Sequence, residues 1–186
     1  MGDLVERDGI YYQKSTDVPF TGKVTGKEQG LVKNGKRDGV WIGYHENGKF
    51  GYIKNYKNGK AEGASVSYWD NGLLEYKGNY KNGKAEGALV SYYENGQLWF
   101  QENFKNGKRD GAWVDYHRNG QLSLKENYRN GKREGASVSY WMNGQLGLKG
   151  NYKKNKKEGS WIGYHGDGTV WKKWTGTYKN GLKISD

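Results

Sequence analysis

The sequence predicts an all-β fold, an elongated antiparallel meander of tandem β-hairpin repeats forming a single curled sheet, and three observations carry the prediction. First, a phrase returns at a fixed period. "KNGK" or a near copy begins at Lys33, Lys57, Lys81, Lys105, Arg129 and, as "KKNK", at Lys153, so the step is 24 residues. Second, each copy holds another Asn-Gly pair, as in Asn47-Gly48 and Asn95-Gly96, with Gly166-Asp167-Gly168 as the variant in the last. Two such pairs with alternating apolar residues between them read as two primed hairpin turns. Third, Gly 31, Pro 1, Tyr 16 and Trp 8 with only 33% hydrophobic residues leave no material for a thick core. Aromatic side chains bury large areas each, so a thin aromatic layer can replace it.

The elements follow in order. Residues 1–32 lack the period, but Ile10-Tyr11-Tyr12 and Phe20 to Val24 are strand-like and Pro19 suits an edge, so this segment reads as an N-terminal cap with two short strands. Residues 33–178 are six repeats, and residues 179–186 begin a seventh and stop. With places counted from the first Lys of each "KNGK", Gly falls at the seventh (Gly39, Gly63, Gly87, Gly111, Gly135, Gly159). Tyr falls at the twelfth as a structural ladder (Tyr44, Tyr68, Tyr92, Tyr116, Tyr140, Tyr164). Tyr178 arrives two residues late, so the sixth repeat carries an insertion around Trp171 to Trp174.

The two legs of a repeat are unequal. Eleven residues lie between the turns at Asn34-Gly35 and Asn47-Gly48, and nine between the latter and Asn58-Gly59. The excess of two is assigned to stretches such as Arg37-Asp38-Gly39, where glycine supports a bulge. Period two then sorts the faces. Val40/Ile42/Tyr44, Ala64/Val66/Tyr68, Ala88/Val90/Tyr92 and Ala112/Val114/Tyr116 make one apolar face. Phe50, Leu74, Leu98, Leu122, Leu146 and Val170 are placed on it, together with Tyr52, Tyr76, Phe100, Leu124 and Leu148. This is the expected packed side, curled to keep it dry. Six repeats advancing about 10 Å each predict a rod of roughly 60 Å.

Catalytic constellations fare poorly. The three histidines, His45, His117 and His165, all take the thirteenth place of separate repeats, roughly 30 Å apart for a gap of three repeats, and read as exposed strand histidines. The acids at the sixth place (Asp38, Glu62, Glu86, Asp110, Glu134, Glu158) read as surface ion pairs. No phosphate loop, dinucleotide fingerprint or nucleophile elbow is present. Zero cysteines exclude thiolate chemistry and disulfides. The prediction is no enzyme, no cofactor, no metal and no small-molecule substrate.

Two surfaces remain as binding candidates. Lys36, Arg37, Lys60, Lys84, Lys108, Arg109, Lys132, Arg133, Lys156 and Lys157 line the first turns as a cationic edge, which suits a net charge of +11 and an anionic lipid or polyanion. The same lysines would also keep exposed hairpins soluble. Opposite the expected packed face the repeats disagree with one another. Trp41, His45, Trp69, Tyr93, Trp113, His117, Trp141, Trp161 and His165 fall there, either as anchors for a specific partner or as a second, thinner core. No apolar run reaches bilayer length, which predicts a soluble chain. Met1-Gly2-Asp3 leaves open whether a leader was removed, and Glu6 breaks the myristoylation pattern.

"KNGKRDGVWIGYHENGKF" and "NYKNGKAEGASVSYWDNGLLEYKG" resemble MORN-type repeats, in particular the bacterial variant of the YwqK-type antitoxin family, over about residues 29–181. The resemblance implies single-layer hairpin arrays without defined catalytic residues. It further implies a non-catalytic scaffold for another protein, sometimes at a membrane or neutralising a toxin, and favours an extracytoplasmic over a cytoplasmic placement. The alternatives are a binder of anionic lipid or polymer through the basic edge and a carbohydrate-binding aromatic hairpin array. Self-association through an uncovered sheet face is a further expectation.

Overall fold

The computed structural model describes residues 4–186, so Met1-Gly2-Asp3 and what they say of a leader lie outside the described residues. The chain is all-β, an antiparallel meander of hairpins, and it divides into two compact units. Unit 1 holds residues 4–86 and 94–96 among those described, and unit 2 holds residues 87–93 and 97–186. Unit 1 opens with the hairpin Leu4–Arg7 and Ile10–Gln13. Gly22–Val24, Glu28–Lys33, Lys36–Tyr44, Phe50–Lys57, Lys60–Tyr68 and Leu74–Lys81 follow, each paired with its chain neighbour. Unit 2 runs in the same way from the pairing of Gly87–Tyr92 with Leu98–Phe104 to the final strand Leu182–Ser185.

The two turns of a repeat differ in kind. At the first, both central residues take positive φ, as at Asn34 (49°) and Gly35 (74°), and Lys33 pairs with Lys36 across a two-residue loop. This is the primed turn that Asn-Gly predicts. In "KKNK" the same conformation falls on Lys154 and Asn155. The second turn is not primed. Only its glycine has positive φ, Gly48 at 78°, and the Gly48 N–H donates to the His45 carbonyl at 2.9 Å. Asn47 stays out of the left-handed region and its Oδ1 accepts the Lys49 N–H at 3.0 Å. Asparagine is selected here as an acceptor, which is the Asx role.

Every seventh-place glycine lies at positive φ, between 71° at Gly159 and 112° at Gly111. Beside it the register slips by two residues. Gln29 pairs with Ile42 and Leu31 with Asp38, so Gly39, Val40 and Trp41 oppose Gly30 alone. The same slip stands at Lys54/Tyr56 and at Lys149/Asn151. The predicted bulge is therefore where the count of eleven against nine places it. A second, one-residue bulge was not foreseen: Gly43 pairs with Tyr52 and Tyr44 with Phe50, leaving Gly51 unmatched.

Burial overturns the predicted assignment of faces. Val40 is 52% exposed, and Ile162, Tyr44 and Phe50 are exposed too, whereas Trp41 is 0% and Trp161 2% exposed. The packed side is the ninth-place side. Because the nineteenth residue bulges out, Tyr52, Tyr76, Phe100, Leu124 and Leu148 pair with the eleventh place and lie on this buried face, not with Tyr44. A one-residue bulge reverses the alternation beyond it, which strict period two cannot register, whereas the two-residue slip at the seventh place preserves it.

In unit 1 the core is Tyr11, Val24, Val32 and Trp41, with Leu4, Phe20 and Tyr56 packed against it. In unit 2 the corresponding tryptophan, Trp161, lies 4.8 Å from the Tyr152 ring and 6.4 Å from that of Tyr178. Each tryptophan covers a glycine of the preceding strand: a Cβ at Gly30 would fall inside the Trp41 indole, and one at Gly150 inside that of Trp161. Each indole N–H donates to a carbonyl one residue beyond that glycine, Leu31 and Asn151, both at 3.1 Å. Truncating Trp161 to alanine removes the largest buried side chain of unit 2 and is expected to cost about 3–5 kcal/mol in urea unfolding. A loss below about 1 kcal/mol would show that the indole is not the core of that unit.

Candidate interaction surfaces

The fifth place carries Arg37, Arg109, Arg133 and Lys157, read from the sequence as part of the cationic edge. Their strand turns them onto the buried face, and three of them meet an acid there. Arg37 contacts the Glu28 carboxylate at 2.6 Å and donates to the Tyr11 hydroxyl at 2.9 Å. Arg109 holds Glu102 in a two-pronged contact at 2.9 and 3.1 Å and lies 3.7 Å over the Trp113 ring. Arg133 sits 3.7 Å from Glu126 and 3.9 Å over the Tyr152 ring. Glu126 also accepts from Ser137 Oγ at 2.9 Å and Tyr128 OH at 3.0 Å. Glu102 and Glu126 are buried, so a geometry this complete is what keeps their charges tolerable. Sequence reasoning missed both acids. Their signal was an acid at the twenty-second place of a repeat whose successor has Arg at the fifth.

Lys157 follows a different rule. The place that holds Glu126 one repeat earlier is Gly150 here, covered by Trp161. The Lys157 ammonium has no hydrogen-bond partner and is ringed by Trp161, Trp174 and Tyr178 at 4.3, 4.2 and 4.7 Å. Trp174 comes from the insertion detected in the sequence. Burial, with the nearby Arg133 charge, pulls the amine down to about 8. Asp115, on the same face, is pushed up by burial while the Trp113 indole donates to it.

The lysines at the fourth place stay exposed: Lys36, Lys60, Lys84, Lys108, Lys132 and Lys156. Directly opposite them stand further cations, in the pairs Lys33–Lys36, Lys57–Lys60, Lys105–Lys108, Arg129–Lys132 and Lys153–Lys156. The neighbouring acids do not answer these charges as the sequence suggested. Glu62, Asp110, Glu134 and Glu158 instead accept the backbone N–H of the following first turn, at Asn82, Asn130, Lys154 and Asn180, over 2.7 to 3.1 Å. Thr21 in the cap takes the same part for Asn34 at 2.9 Å.

The thirteenth place is structural as well. His45 Nε2 lies 2.8 Å from the Tyr68 carbonyl and His117 Nε2 2.9 Å from that of Tyr140, while Tyr93 OH and Trp141 Nε1 donate to the carbonyls of Tyr116 and Tyr164. His45 and His117 are thus half-buried links between repeats, contrary to the expectation of exposed rings, and His165 stacks on Trp171. From the tyrosine ladder, Tyr68, Tyr116, Tyr140 and Tyr164 supply carbonyls to these links rather than a core. Of the nine residues proposed as partner anchors, Trp41 and Trp161 are buried, Trp69 and Trp113 are half-buried, and Trp141 is exposed. Among the described residues no group of three His, Asp or Glu is placed to hold a metal.

Replacing Lys157 by methionine is expected to stabilise the protein near neutral pH, because the buried ammonium is unpartnered. In the native chain the folded amine titrates near 8 and the unfolded one near 10.4, so the unfolded chain holds more protons between them and stability rises with pH. Urea midpoints at about pH 7.5 and 9.5 test this below the range in which Tyr52 and Tyr128, pushed up to about 12 by burial, make stability fall. The rise from this lysine must vanish in Lys157→Met, and an unchanged rise contradicts the cage.

A comparison with curated proteins gives no match. The MORN repeat variant model matches residues 37–58, 61–82, 85–106 and 109–130, each a segment from the fifth place of one repeat to the second place of the next. Four tandem segments within residues 37–130 are therefore similar to the MORN repeat variant, a non-enzymatic repeat type generally associated with scaffolds that bind proteins or membranes.

Proposed function

We propose that the chain is a non-catalytic scaffold whose partner is another protein, docked on the valine face, the side of the sheet opposite the ninth place that carries Val40, Val138 and Ile162. The observation that carries this reading is an uncovered face of β-branched side chains. In unit 2 it contains an open groove of about 600 Å³ lined by Ala136, Val138, Ile162 and Thr177 among others. The face alternates Val138 and Ile162 with the strand partners Lys149 and Asn151 where the buried face is already filled, so it has a mixed surface to give a partner. Assignment to the YwqK-type branch, with a toxin as partner, rests on the resemblance of the repeat phrases. An extracytoplasmic placement rests on the same resemblance.

A second reading has its own support. Like charges directly opposite on paired strands are destabilising, and this chain repeats such a pair at five first turns. An anionic lipid or polymer laid against the three such pairs of unit 2, Lys105–Lys108, Arg129–Lys132 and Lys153–Lys156, would relieve the repulsion, with affinity falling steeply as salt rises.

Capture from a lysate of the source cells, at physiological and at high salt, separates the two. One stoichiometric protein that survives high salt and is lost with Val138→Glu is the expected result. Only polyanions, all released at high salt and lost with Lys132→Glu, would overturn the protein reading and make the lysine pairs the site.

A further inference from the structure

The second-turn edge of unit 2 is aromatic, and its rings are held. Tyr93 and Trp99 stack at 5.4 Å and 24°. Three repeats on, the same two places hold His165 and Trp171, stacked at 4.8 Å and 29°, with Trp141 6.3 Å from Trp171 and at 28° to it. Tyr93, His117 and Trp141 each bond a carbonyl of the next repeat, which fixes the plane of the ring. Trp99 is 42% and Trp141 39% exposed. With two strands per repeat, successive rings at the thirteenth place stand about 10 Å apart along the edge.

Charge distinguishes this edge from the other end of the hairpins. The turns at 118–121, 142–145 and 166–169 contain one arginine and one aspartate and no lysine, but they present Asn119, Gln121, Asn143 and Gln145. The paired lysines all stand at the first turns. Rings that bind single-stranded nucleic acid work with cations tracking the phosphates; here the cations are few, Arg118 at 5.4 Å over the Tyr93 ring and Lys172 and Lys173 beside Trp171, against the repeated cation pairs of the first turns. Flat, fixed rings flanked by amides and free of dense charge fit a neutral polyhydroxylated chain. Its C–H faces would lie on the indoles and its hydroxyls would meet the Gln121 and Gln145 amides, since those of Asn119 and Asn143 are bonded within the sheet, with little ordering cost because the rings are already set.

We propose that the aromatic edge of unit 2, built on Tyr93, Trp99, Trp141, His165 and Trp171, is a binding strip for a neutral glycan. It is independent of the protein-partner reading, because these rings lie at the turn end and not on the valine face.

Affinity electrophoresis of the full chain through gels containing hydroxyethyl cellulose or glycol chitin, at low and high salt, tests the strip. Retardation by at least one glycan, insensitive to salt, is expected. It should weaken about tenfold or more in Trp99→Ala combined with Trp141→Ala and persist in Lys132→Glu combined with Lys156→Glu. Trp99→Ala alone leaves the cross-repeat hydrogen bonds in place and should give part of the loss with an unchanged urea midpoint. No retardation by either glycan, or retardation indifferent to the two tryptophans, overturns the proposal. Binding of an oligothymidylate that depends on Trp141 would assign the rings to nucleic acid instead.

Discussion

The structure depends on a backbone constraint more than on any side-chain contact: the seventh residue of each repeat is held at positive φ. At Gly39, Gly63, Gly87, Gly111, Gly135 and Gly159 the chain adopts a conformation that costs an L-residue roughly 1–2 kcal/mol and glycine almost nothing. The two extra residues of the longer leg are absorbed there, which keeps the alternation of the strand but draws in its register. The fifth-place cation and the ninth-place tryptophan or serine, which share a face by period two, thereby become near neighbours on it. Arg109 stands beside both Glu102 and Trp113 in this way.

A second layer of order joins one repeat to the next. The first turns at Asn82, Asn130, Lys154 and Asn180 give their N–H to the acid of the preceding repeat, and the second-turn side chains of Asn47, Asn71, Asn119 and Asn143 give their amides to a carbonyl of the following one, as Asn47 to Asp70 and Asn119 to Met142. Both bonds are made by residues that look like turn formers only. The variant Asp167, in the last repeat, keeps the acceptor for the Thr169 N–H and dispenses with the amide donor. Repetition therefore satisfies backbone groups at the turns, where a lone hairpin would leave them to water. What differs between copies is free to differ for other reasons.

Much of this was legible in the sequence. The 24-residue step, the turn positions, the bulge at the seventh place and the insertion before Tyr178 all follow from counting, because turn chemistry is local. Which face is buried did not follow. The unmatched nineteenth residue, Gly51 in one repeat and Trp99 in another, has no single residue type to announce it, and one extra residue inverts everything after it. The ion pairs of the buried face were hidden for a related reason: Glu102 and Arg109 lie on different strands across a first turn, and pairing them requires the register of the bulge. The partner of the molecule is the least legible part, since the valine face and the paired lysines offer surfaces of different chemistry.

Gly63 tests the central constraint directly, because a Cβ there meets nothing within 4 Å and any penalty comes from φ alone. Urea unfolding of Gly63→Ala and Gly63→Asn should show alanine costing about 1–2 kcal/mol and asparagine less, since asparagine tolerates the left-handed region that it already occupies at Asn58. Alanine as stable as glycine, or asparagine as harmful as alanine, would contradict an account in which positive φ at the seventh place holds the register of the sheet.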